Sequence, residues 1–382
     1  MITDPIGILV LLLASVVAAE WLGRRGPGRR LGAGILVIVL GGALGNSGLI
    51  PSASTAPPLY DAIFRVVAPL SIYLLLLEVR LGELRRVGWP MLLAFGLGAA
   101  GTLLGVFAAL QVTDLKAVLG ERAGVLAGMY AGTYIGGSSN FNAIALHYGV
   151  VEDGLLFAGA TAVDATLGTI WIVVILGMPV LLSPFRPGKR EPVAAPRGTA
   201  REPGDDPPQG AGRLALVLLL AFAALYISER LAAGLGELGV AVPSILLLTT
   251  FALLVAQVRA LQAPGTTRTL GHFAAYVFLA VVGVHCELGT VRELAELGPV
   301  LLLFVSVTLT VHGAVLVGAG TLLGLEPEVL AMGSNATVMG ATTAPAVAES
   351  LGRPDLILPG ILTGSLGSAA GTYLGFLVVY LA

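Results

Sequence analysis

Residues Gly132 to Asn142 read Gly-Thr-Tyr-Ile-Gly-Gly-Ser-Ser-Asn-Phe-Asn and lie inside an otherwise apolar segment, 123–149. About two hundred residues later a second such box, Gly333 to Pro345, reads Gly-Ser-Asn-Ala-Thr-Val-Met-Gly-Ala-Thr-Thr-Ala-Pro. Glycine destabilises a helix, and the hydroxyls and amides bring hydrogen-bonding groups where a membrane span is expected to be apolar. In hydrocarbon, a backbone freed from its helix persists only where protein, water or a ligand satisfies it. The two boxes are therefore expected to be facing halves of one solute site.

The surrounding composition fits that reading. Of 382 residues, 56% are hydrophobic and only 12% charged, with 52 glycines and a mean hydropathy of +0.92; a soluble chain carries about a quarter charged residues. The expected class is an all-α polytopic membrane protein. A net charge of -2 argues against a nucleic-acid partner. Cys286 is the single cysteine, which excludes a disulfide framework and a multi-cysteine metal site. His-Glu-x-x-His, Gly-x-Ser-x-Gly and P-loop signatures are all missing, so neither an enzyme nor a nucleotide-driven pump is expected. Met1 to Pro5 carries no basic side chain, and arginines follow the first apolar run, so that run reads as a retained span with its N-terminus outside.

Hydrophobic runs fall at 6–22, 31–50, 62–80, 90–112, 123–149 and 154–182, then at 212–232, 241–258, 270–286, 298–323, 327–350 and 355–381. Between the sets, Ser183 to Gly212 is rich in proline, glycine and charge and reads as a cytoplasmic linker. The expected domains are thus 1–182, the linker 183–212, and 213–382. Features recur in order between the halves: Leu81-Gly82 with Leu288-Gly289, Gly136 with Gly340, and Gly168-Thr169 with Gly371-Thr372. The charges choose the topology. If all segments cross, ten of the 21 basic residues face the cytoplasm, whereas if 123–149 and 327–350 each enter and leave on one side, the division is sixteen against five. The second count matches the positive-inside rule. It predicts two inverted repeats of five spans, each with a re-entrant segment, with the C-terminus also outside and the tips meeting near the midplane; a broken but crossing helix is the alternative.

The candidate solute ligands are Thr133, Gly136, Gly137, Ser138, Ser139, Asn140 and Asn142 in the first box, and Ser334, Asn335, Thr337, Gly340, Thr342 and Thr343 in the second. Half-helix N-termini suit an anionic group, and the carbonyl ends suit a cation. Asp164 lies ten residues into segment 154–182, where a carboxylate costs about 2.5 to 3.5 kcal/mol on insertion scales and so marks function. The plainer account is that Thr161 and Thr166 hold it by hydrogen bonds. His312 is the other deep ionisable group, either a proton carrier or a neutral packing residue. Asp164, Asn140, Asn335 and His312 are the candidates for a coupling ion, with a sodium site at the crossing of the boxes as one form it could take.

The run Gly132 to Ala145 with His147-Tyr148-Gly149, the stretch Gly333 to Glu349, and Gly364 to Tyr373 together resemble a bacterial and plastid membrane-protein family catalogued as domain of unknown function eight-one-nine. That family is similar to secondary transporters with inverted five-helix repeats: bile-acid-type sodium symporters, cation/proton antiporters, and glutamate and 2-hydroxycarboxylate sodium symporters. The resemblance implies an elevator, in which the boxes with 90–112, 154–182, 298–323 and 355–381 form a moving core and the other spans a homodimeric scaffold. The first box lacks the adjacent aspartate pair of some antiporters, which weighs against sodium/proton antiport. The expected function is ion-coupled transport of a small organic solute, an anion by preference, across the inner membrane. A channel or facilitator and a non-transporting sensor or assembly subunit are the alternatives.

Overall fold

A computed structural model describes residues 1–25, 28–52, 57–79, 81–182, 211–238, 240, 242–258, 261, 265–286 and 291–382. All but the end of the expected linker, 183–210, lies outside the described residues. The described chain is helical, without a strand.

In the first half, α1 (Pro5–Gly23) and α2 (Gly28–Asn46) precede α3 (Pro58–Ala62) and α4 (Ala68–Leu76), which a π-helical turn at Ile63–Val67 joins into one rod. Pro69, in the first turn of α4, has no N–H to return to the preceding turn, which accounts for the widened winding there. Then come α5 (Trp89–Val112), α6 (Leu115–Leu119), α7 (Arg122–Gly136), α8 (Ser138–His147) and α9 (Gly154–Leu181). The second half holds α10 (Ala211–Glu237), α11 (Ser244–Ala256), α12 (Thr266–Val284), α13 (Val291–Leu322), α14 (Pro327–Ser334), α15 (Ala344–Ser350) and α16 (Ile357–Leu381).

Eight stretches among the described residues are long and apolar enough to cross a membrane, and two shorter apolar helices, Ala33–Asn46 and Ser244–Ala256, occupy the remaining expected spans. This is a multi-pass membrane protein. Its helices gather into two bundles. One holds α1 to α4 with α10 to α12; the other holds α5, α7 to α9 and α13 to α16. Contacts in one half are mirrored in the other: α1 lies on α2 and α12 as α10 lies on α11 and α4, and α7 lies on α16 as α14 lies on α9. At the centre of the second bundle α5 meets α13 at near backbone contact, since a Cβ on Gly105 would come within 2.5 Å of the Thr308 carbonyl. With lipid as apolar as leucine, such close approach is the main source of helix adhesion in a bilayer.

Candidate functional site

Both boxes are hairpins. Gly137 ends α7 because its φ of +96° is a conformation other residues rarely adopt. The chain then doubles back as α8, and the Asn140 amide donates to the Gly132 carbonyl at 3.4 Å. At the open end Arg122 pairs with Asp153 at 2.8 Å, so residues 122 and 153 lie together. The second hairpin runs through α14 and a π-helical turn at Asn335–Met339 to Gly340, whose φ is +78°. Its own open end is closed by Arg353, which pairs with Glu326 at 2.5 Å and with Asp355 at 2.8 Å.

The hairpins enter from opposite ends of α16. The base of the second lies at the α16 N-terminus through Arg353 and Asp355. Near the base of the first, Lys116 donates to the carbonyl of Ala382 at the other end. A 25-residue helix is about 37 Å long, and the tips meet partway along it. Gly364 abuts the backbone of Gly340 and Ala341, while Gly367 abuts Ile135 and Gly136, and the Ser368 hydroxyl donates to the Gly136 carbonyl at 2.9 Å. Gly364 and Gly367 are separated by about 5 Å of helix rise.

On the opposite side α9 repeats the arrangement. Tyr130 donates its hydroxyl to the Ala160 carbonyl at 3.1 Å, and the Tyr134 side chain faces Asp164. One turn further on, a Cβ on Gly168 would stand 3.6 Å from the Met339 sulfur, and the Trp171 indole donates to the Ser334 hydroxyl at 2.9 Å. Asp164 therefore stands at the level where the tips meet.

Several of the expected solute ligands are engaged inside the protein. Asn140 is buried and its Oδ1 accepts from the Thr372 hydroxyl at 2.6 Å, pinning the first hairpin to α16. Asn335, also buried, accepts from Thr343 at 2.8 Å and so braces its own tip. Thr337 donates to the carbonyls of Gly333 and Ser334. Gly136, Gly137 and Gly340 contribute backbone only, and Thr133 is buried on α7. Ser138 and Thr342 are exposed at the two tips and Ser139 and Asn142 half-buried behind the first. None of these four side chains hydrogen-bonds to another described residue.

His312, fully buried on α13, joins the two hairpins. Its Nδ1 lies 2.8 Å from the Gly98 carbonyl, and a carbonyl only accepts, so Nδ1 carries the hydrogen. In the neutral ring Nε2 is then an acceptor, and it takes the hydroxyl hydrogen of Ser334 at 3.0 Å. Thr102, 3.0 Å from Nδ1, passes its own hydrogen to the Tyr134 carbonyl at 3.2 Å. Ser334 on one hairpin is thereby tied to Tyr134 on the other through the His312 imidazole and the Thr102 hydroxyl. Asp164 has the reverse surroundings. Thr161 and Thr166, the hydroxyls that could have held it, donate instead to the carbonyls of Phe157 and Ala162.

Sequence reasoning missed Thr102, Trp171, Ser368 and Thr372. Two of them lay in stretches the sequence did single out: Thr372 in the match of Gly168-Thr169 with Gly371-Thr372, and both Ser368 and Thr372 in the run Gly364 to Tyr373. A separate cavity of about 250 Å³ opens between the bundles beside the base of the first hairpin, lined by Arg65, His147, Glu152 and Glu229 among others.

The fold thus defines a polytopic helical membrane protein built around two opposed hairpins. The chain belongs to the family described as protein of unknown function DUF819, whose model matches residues 7–381. It is similar to the Uncharacterized membrane protein YjcL of Bacillus subtilis (strain 168), at 27% identity over 363 residues, covering 89% of this chain and 87% of that one.

Proposed function

We propose that the protein is an ion-coupled secondary transporter of a small organic solute, an anion by preference, working by an elevator motion. The observation that carries the reading is the meeting of two hairpin tips, entering from opposite ends of α16, at the level of a carboxylate in the middle of α9. In this reading the halves are inverted repeats, the hairpins are re-entrant, and Ser138, Ser139, Asn142 and Thr342 meet the solute. Asn140 with Thr372 and Asn335 with Thr343 hold the tips in register, and Asp164 takes the coupling ion. The bundle bearing the hairpins moves against the other, which forms a dimeric scaffold in the inner membrane with both chain termini outside and the linker in the cytoplasm.

The experiment is uptake of a panel of labelled small carboxylates into proteoliposomes, with and without an imposed sodium or proton gradient. Accumulation above the external concentration only under a gradient supports coupled transport. Flux that equilibrates without accumulating makes the protein a channel or facilitator.

A further inference from the structure

We infer that the cavity between the bundles, beside the base of the first hairpin, is a binding site in its own right for a zwitterion that carries an ammonium and an anionic oxygen group, as a free amino acid or an aminophospholipid headgroup does. The site is separate from the hairpin tips. His147 lines it from the end of α8, and that helix puts about 13 Å between His147 and Ser138 at the tip.

Charges of both signs line the cavity. Arg65 comes from the π-helical turn between α3 and α4, Glu229 from α10, and Glu152 from the turn before α9. None of the three has a hydrogen bond or ion pair among the described residues. Their charged neighbours in sequence do not change this: Asp153 pairs with Arg122, Arg230 lies over the Tyr226 ring, and Asp61 forms no ion pair with Arg65. Arg65 stands about 10 Å along its rod from Pro58, and Glu229 about 12 Å from the end of α10, both in stretches apolar enough to cross a membrane. A charged side chain within a span turns to a partner or to a water-filled cavity. Here two opposite charges share one cavity and leave the space between them open.

That arrangement selects its occupant. A lone anion would be repelled by Glu152 and Glu229, and a lone cation by Arg65. A zwitterion satisfies both signs, its anionic oxygens accepting from the guanidinium and its ammonium donating to a carboxylate. Leu225, Ile245 and Leu248 supply apolar wall. The volume of about 250 Å³ falls just below the range of about 300–1,000 Å³ for drug-sized ligands, which suits an amino acid or a headgroup. A second cavity of about 200 Å³ shares Arg65, Leu225 and Glu229 with the first and is lined also by Phe222 and Tyr226, both exposed on α10. The charges are thus open to the outer flank of α10 as well, which gives a lipid headgroup a way in. Because α8 and α10 belong to different bundles, an occupant touches both, whether or not the protein transports.

The test is thermal melting of protein in nanodiscs of phosphatidylglycerol, which supplies no ammonium. Alanine and leucine are added, each beside the matching primary amine and the N-acetyl acid, and a parallel set of nanodiscs contains phosphatidylethanolamine. The zwitterion should raise the melting temperature by several degrees near saturation, and the singly charged analogues should not. A rise with the amino acids identifies a free solute, and a rise with phosphatidylethanolamine alone identifies the lipid. Arg65→Gln and Glu229→Gln should each abolish the rise yet melt with the wild type in phosphatidylglycerol alone, because neither side chain has a partner to lose. The inference is overturned if singly charged analogues stabilise equally, if no zwitterion stabilises, or if the rise survives both variants. Variants that melt well below the wild type without ligand would make Arg65 and Glu229 a structural pair, which also overturns it. A rise lost in Asn142→Ala but kept in Arg65→Gln puts the ligand at the tips, sinking this inference and leaving the transport reading standing; failed uptake with the rise intact does the reverse.

Discussion

The seating of the second tip on α16 can be tested with one methyl group. A Cβ on Gly364 would lie 2.5 Å from the Ala341 nitrogen, 2.7 Å from its Cα and 2.8 Å from the Gly340 carbonyl carbon. All three are backbone atoms, so no side chain can rotate out of the way. Restoring an ordinary contact near 3.4 Å requires the hairpin tip and α16 to part by roughly 0.9 Å, and overpacking of that kind costs about 1–3 kcal/mol. Gly96 on α5 and Gly318 on α13 are the controls. Both are helical and exposed, with nothing within 4 Å of a Cβ, and alanine there gains up to about 1 kcal/mol of helix propensity. In thermal melts of purified protein in lipid nanodiscs, Gly364→Ala should fall below the wild type while Gly96→Ala and Gly318→Ala stay level or rise. If Gly364→Ala melts together with its controls, the tip does not rest on α16 and the site built from that contact fails with it.

The two hairpin bases should respond unequally to loss of their arginines. Arg353 and Asp355 are only 15% and 14% exposed, and the hydrogen bonds that the guanidinium donates to the Asp355 carboxylate hold it more basic than usual; Arg353→Ala should cost about 1–3 kcal/mol. Arg122 and Asp153 are 56% and 38% exposed, and Arg122→Ala should cost less than about 1 kcal/mol, so matched melts or a reversed order would refute the contrast. Asn140→Ala strands the buried Thr372 hydroxyl and should be worse than Thr372→Val, with the double variant less unstable than the sum of the two; additive losses would mean the pair does not interact. Cys286, just past the end of α12, donates to the Gly154 carbonyl, and burial pushes its thiol up to about 12. Maleimide should therefore label the native protein far more slowly at neutral pH than the detergent-denatured chain, and equal rates would contradict that burial.

The segment pattern was legible because long apolar runs and helix-breaking glycines leave a signature in the sequence itself. The division of the polar side chains was not. Asn140 and Asn142 are two residues apart on α8, hence about 200° around the helix, and only the first is buried and turned to α16. A soluble helix reveals which face is buried by its polar stripe, but spans that are apolar all round carry no such phase. The partner of Asn140, Thr372, is 232 residues away, and no local pattern announces a contact between halves. Asp164 was easier to read because a charge deep in a span stands out wherever it points.

The structure also changes why the tips are where they are. From sequence, the broken backbone needs protein, water or a ligand to satisfy it, and a solute between the tips is the reading that follows. Here the Gly136 carbonyl accepts from Ser368, the Gly340 N–H bonds the Asn335 carbonyl at 2.9 Å, and the Asn335 side chain is met by Thr343. The breaks are satisfied by protein, so the tips can keep their form while empty. A solute arriving at Ser138, Ser139, Asn142 and Thr342 would meet a preorganised surface, and little of its binding energy would go into ordering the hairpins. Within the transport reading, access then has to change by movement of the hairpin bundle as a unit, because the arginine clamps at both bases and the His312 bridge between the hairpins oppose any melting of either one.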